Sequence, residues 1–179
     1  MSMPPNAPGT LQHHEIARRI PHQGSMCLLD TVTAWDGEHI SCQTRSHRTP
    51  DHPLRAYGRL GAVCGVEYAA QAMAVHGSLV AESRGGQSAV DGLPARSGYL
   101  ASVRSVNLFV ERIDTVAGPL TVSAERIAGD ANTVLYSFTV QDGARTLLSG
   151  RAIVVLDAGG IAPKPSAGNA ASSPGRALP

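Results

Sequence analysis

The chain has 179 residues, of which 42% are hydrophobic and 16% charged, and a formal net charge of +1. One domain of about 100–200 residues fits that length, and the apolar share suffices for a core. It has no basic run, no signal-peptide core and nothing near the roughly 20 apolar residues of a membrane span, which argues against nucleic-acid binding, export and membrane insertion and for a cytoplasmic protein.

Residues 1–10 (MSMPPNAPGT) and 157–179 are rich in Pro, Gly and Ser and poor in large apolar residues. They cannot bury enough surface to offset their ordering entropy, so both are expected as disordered tails around a domain at 11–156. A short helix is predicted at 14–19, stopped by Pro21. Apolar and β-branched residues at 26–35, then Asp36-Gly37, then 38–46, predict a β-hairpin. Pro50 and Pro53 make 47–60 a long loop. Residues 61–81 (GAVCGVEYAAQAMAVHGSLVA) are apolar around nearly the whole circumference and predict a helix buried on most sides. A second loop covers 82–96. Strands follow at 97–110, 119–128, 133–142 and 145–156, punctuated by Gly129-Asp130 and Asp142-Gly143. Short links favour an antiparallel meander. The class is α+β, a curved antiparallel sheet wrapped around one long helix. Such a sheet leaves an edge strand and an open helix side, and dimerisation would cover both.

Glu67 interrupts the apolar helix. A carboxyl buried there would have a raised pKa and could donate or accept a proton near neutral pH. The plainer reading is an acidic residue favouring the helix N-terminus. His52 lies in the preceding loop, where most histidines are solvated. Together, however, the two could stand over the helix start, whose unpaired N–H groups suit a thioester oxygen gaining negative charge.

The segment DHPLRAYGRLGAVCGVEYAAQAM resembles the 3-hydroxyacyl-acyl-carrier-protein dehydratases, which share the hot-dog fold. Its helix motif stands as Val66-Glu67-Tyr68-Ala69-Ala70-Gln71, and IPHQGSMCLLDTV resembles the family's N-terminal signature through Pro21, His22, Leu28, Leu29 and Asp30. The wording PHQGSMCLLD, DHPL and EYAAQAMAVHG is most similar to dehydratase-like proteins of aryl polyene clusters. The resemblance spans 16–156 and implies dehydration of a 3-hydroxyacyl thioester. His52 would be the base, Glu67 the acid for the leaving hydroxyl, and Gly61, Ala62 and Val63 the oxyanion donors. Gln71 and His22 would be supporting residues, the latter mainly structural or channel-lining. The resemblance also implies an acyl carrier protein or coenzyme A thioester as substrate, a homodimer or hot-dog heterodimer, and no metal or cofactor. Two departures stand out: His52-Pro53-Leu54-Arg55 replaces the family's His-Phe-Pro-Gly, and Ala62 replaces a glycine.

Two alternatives stay open, a hot-dog acyl thioesterase and a non-catalytic acyl-binding subunit. Of the remaining residues, His76 is expected in the core or an interface and His47 in solvent. Cys27, Cys42 and Cys64, with no CxxC, are expected as free thiols. Arg96, Arg104 and Arg151 are expected as ordinary surface.

Overall fold

The computed structural model describes residues 9–85, 98–130 and 132–156. Apart from Gly9 and Thr10, the expected tails lie outside the described residues, as does most of the loop at 82–96. The elements run β1 (Leu11–Gln12), α1 (His13–Ala17), β2 (Thr31–Trp35), β3 (His39–Thr44), α2 (Gly65–Ser83), β4 (Gly98–Leu108), β5 (Leu120–Gly129), β6 (Thr133–Asp142) and β7 (Arg145–Leu156). The strands form one antiparallel sheet in the order β1-β2-β3-β5-β6-β7-β4, packed against α2.

The inward positions follow the two-residue period of a strand. Leu120, Val122 and Ala124 of β5 and Val134, Tyr136, Phe138 and Val140 of β6 are buried, and between them the chain alternates outward. They meet Tyr68, Ala69, Ala72, Met73, Val75 and Leu79 of α2 in one core. The helix approaches β7 closely because residue 65 is glycine: a Cβ there would run into Leu148.

Three differences from the sequence reading have physical causes. Residues 26–30 are not strand, and β2 begins at Thr31. Side chains hold that backbone instead: Leu28 N–H donates to Gln71 Oε1 at 2.8 Å, while the Leu28 carbonyl accepts from Thr44 Oγ1 at 2.6 Å and Ser46 Oγ at 2.7 Å. Second, the meander holds for β5, β6 and β7 only. β4 pairs with β7 at the outer edge, and β5 pairs with β3. The return from β4 to β5 is anchored by buried Ile113 and Val116 and by Asp114, which meets Arg55 and Arg112 at 2.7 Å each. Third, β1 adds a two-residue strand beside β2, a length too short for a periodicity signal.

Candidate active site at the head of the central helix

Glu67 lies in the first turn of α2, preceded by a 3-10 turn at Ala62–Cys64. Its side chain is not buried as expected but 31% exposed in the protomer. The helix turns its fully covered side, Tyr68, Ala69 and Ala72, into the sheet, and Val66, Glu67, Ala70 and Ala74 are only partly covered. Glu67 Oε1 lies 3.0 Å from His22 Nε2 and 3.1 Å from Gln71 Nε2. Gln71 is one turn further along and fully buried. The orientation of its amide is fixed by groups with no choice of role: Leu28 N–H can only donate, and the Met26 carbonyl, 2.8 Å from Nε2, can only accept. Nε2 therefore donates to Glu67 Oε1. Among the described residues no hydrogen bond engages Glu67 Oε2.

His52 is brought to the helix but not to Glu67. It is 4% exposed, its ring stacked on Tyr68. Leu54 N–H donates to His52 Nδ1 at 3.1 Å, so in the neutral ring the proton sits on Nε2, which donates to the Tyr68 hydroxyl at 2.8 Å. Tyr68 in turn stands 3.0 Å from Ser46 Oγ. Burial, with Arg55 and His47 nearby, lowers the pKa of His52. Burial raises that of Tyr68, well above the phenol range. In this arrangement both ring nitrogens of His52 are occupied.

The third expected group, Gly61, Ala62 and Val63, borders a groove with Leu108, Phe109, Val110 and Glu111. Ala62 N–H is taken by the Glu111 carbonyl at 2.9 Å. Val63 N–H, in the first turn, has no intrahelical acceptor. Val63 and Phe109 are 60% and 59% exposed, giving the groove an apolar lip one turn before Glu67.

His47, expected in solvent, is fully buried, with Nε2 3.1 Å from the Val116 carbonyl. His76 is a core histidine held by the Tyr136 hydroxyl and the Asp36 carbonyl, 2.9 Å each. Cys27 and Cys42 are buried free thiols; Cys64 is partly covered and free. Burial pushes Cys42 up to about 12. Arg104 and Arg151 are exposed; Arg96 lies outside the described residues. Sequence reasoning missed Tyr68 and Ser46. The signal for Tyr68 was present: a phenol inside an apolar buried run needs a hydroxyl partner. Among the described residues no three His, Cys, Asp or Glu side chains gather as metal ligands. No helix among them is long and apolar enough to cross a membrane.

An antiparallel sheet around one helix, with a carboxyl at the helix head, defines a hot-dog protein. The match over residues 14–158 to the family described as "ApeP-like: ApeP dehydratase" goes further: the chain belongs to that dehydratase family. Among solved structures, the dehydratase heterocomplex ApeI:P from Xenorhabdus doucetiae is similar at 21% identity and a TM-score of 0.66, covering 79% of this chain and 90% of that one. The thioesterase HI1161 from Haemophilus influenzae is similar at 13% identity and a TM-score of 0.49, covering 70% and 76%. No curated protein matches the chain in sequence.

Proposed function

We propose that this protein dehydrates 3-hydroxyacyl thioesters, held on an acyl carrier protein or coenzyme A, to trans-2-enoyl thioesters in fatty-acid-like or polyene-type synthesis. One observation carries the reading: among the described residues Glu67 is held at Oε1 and left open at Oε2, at the head of a helix flanked by an apolar groove. The thioester oxygen would sit at the N–H groups around Gly61 and Val63, where the helix start favours negative charge. Glu67 Oε2 would deliver a proton to the C3 hydroxyl, which leaves as water as the C2–C3 double bond forms.

A base must take the C2 proton. The family resemblance implies His52 for this role, and that ring can act only once Nδ1 is released from Leu54 or Nε2 from Tyr68. The geometry favours Glu67 for both transfers: Oε2 takes the C2 proton and returns it to the departing hydroxyl. No net proton is gained or lost.

A second hot-dog chain would complete the site. The outer edge strand β4 exposes Tyr99, Leu100 and Leu108, at 48%, 42% and 48%, and exposed apolar edge strands are normally covered. Ala70, Ala74 and Gly77 are small residues on the partly covered side of α2, where another helix can approach closely. The heterocomplex named for the Xenorhabdus relative supports a non-identical partner, with a homodimer as the other outcome.

The engaged nitrogens of His52 favour one competing reading, an acyl thioesterase in which Glu67 activates water against the thioester carbonyl. Incubation with 3-hydroxyacyl and 2-enoyl thioesters of several lengths, with and without a hot-dog partner from the same host, separates the two. Water loss without thiol release supports the dehydratase. Thiol release without water loss supports the thioesterase. No turnover under any condition supports an acyl-binding subunit.

A further inference from the structure

We infer that His22 is a positioning residue for Glu67: it donates its Nε2–H to Oε1, completing with Gln71 a two-donor hold that leaves Oε2 for the substrate. The inference deepens the proposed dehydration and rests on that reading for its kinetic effect.

Three observations carry it. His22 Nε2 lies 3.0 Å from Glu67 Oε1, within hydrogen-bond reach. His22 Nδ1 is buried and has no hydrogen-bond partner among the described residues. A proton on Nδ1 would be a buried donor without an acceptor, which proteins avoid more strictly than a buried acceptor without a donor. The single proton of the neutral ring therefore belongs on Nε2, facing Glu67. Independently, the amide of Gln71 is fixed by Leu28 and Met26, so Oε1 already serves as an acceptor. Both neighbours then donate to the same oxygen and leave the other unengaged. The segment between α1 and β2 supplies all of this: His22 brings the ring, while Met26 and Leu28 aim the glutamine. The sequence motif around Pro21-His22 thus acquires a role beyond lining a channel.

The role differs from proton transfer and from space filling, and three variants of the intact assembly separate them. His22→Phe fills the volume without a donor, His22→Gln keeps an N–H donor that cannot carry charge, and His22→Ala keeps neither. The expected result is a kcat lower by on the order of 10²-fold in His22→Phe and His22→Ala, the scale of a misplaced reacting group. KM should be little changed, and most of kcat should return in His22→Gln. Wild-type kcat in His22→Phe would overturn the inference in favour of packing. A His22→Gln enzyme as slow as His22→Phe would overturn it in favour of proton exchange.

A second measurement does not depend on turnover. Nitrogen NMR of the imidazoles should show His22 protonated at Nε2, with its signal displaced in Glu67→Ala. A proton on Nδ1, or a signal unmoved by Glu67→Ala, would overturn the dyad even if the wild type dehydrates nothing. A wild type without turnover that nevertheless shows the displaced Nε2–H signal would count against the dehydratase reading and leave the dyad supported.

Discussion

The His52 imidazole and the Tyr68 hydroxyl meet at 2.8 Å, inside the protein, with the rings stacked at 5.9 Å between centroids. A histidine in a Pro-rich loop thus becomes a buried pin between that loop and the central helix. Its other nitrogen holds Leu54 N–H, so the ring ties together residues 52–54, Tyr68 and, through Tyr68, Ser46.

His52→Ala should therefore destabilise the fold. It leaves the Tyr68 hydroxyl with Ser46 as its remaining partner and strands the partly buried Leu54 N–H, and an unsatisfied buried group costs about 1–3 kcal/mol. Urea unfolding should show a loss of roughly 1–3 kcal/mol on that basis. Stability equal to wild type would mean that the ring is not pinned as described.

Stability should also fall in mild acid. Burial lowers the pKa of His47, His52 and His76 below the ordinary 6.5. The unfolded chain then binds protons more readily than the folded one. The stabilisation is complete above about pH 6.5 and is lost as pH drops below it, towards the folded-state values. His39, drawn upward by Asp36, acts in the opposite sense, but its side chain is 53% exposed and solvent screens the pair. Unfolding followed at pH 7.5 and 5.5 should give the lower stability at 5.5; the reverse order would contradict the neutral, buried state of these rings.

Much of this architecture was legible beforehand, and the failures are local. β6 and β7 fell on their expected residues because alternation and an Asp-Gly turn agree there. The long helix was marked by its apolar circumference. Periodicity could not show that β4 pairs with β7, because strand order depends on a return segment with no regular pattern. Nor could it show that Gln71 would hold residues 26–28 out of the sheet, a contact between positions distant in sequence. At the site, Glu67 stood out as an acid in an apolar helix, and His52 through its place in the loop just before that helix and through the family resemblance. What lay beyond the sequence was the pairing: the imidazole brought to Glu67 is His22, and His52 goes to Tyr68.

Gly65→Ala should cost about 1–3 kcal/mol, the usual range for overpacking a core. The added methyl would run into the Leu148 side chain, which is fully buried and would have to shift within the core. Thermal unfolding checks this, and an unchanged melting temperature would show that the helix and β7 are further apart.

We propose that the C-terminal segment is dispensable. Deleting residues 160–179, which offer little apolar surface to bury, should leave melting temperature and turnover nearly unchanged. A large fall in either would show that the segment docks on the domain.

The most direct test of the dehydratase account replaces one oxygen of one side chain. Glu67→Gln keeps the shape of the helix head and removes the group assigned to move protons. The assembly carrying it should dehydrate a 3-hydroxyacyl thioester about 10²–10⁴-fold more slowly than wild type, the usual contribution of a general acid or base. Its melting temperature should hold, since the side chain is partly exposed and only its acceptor oxygen is engaged. Wild-type rates of water loss from Glu67→Gln would contradict the account.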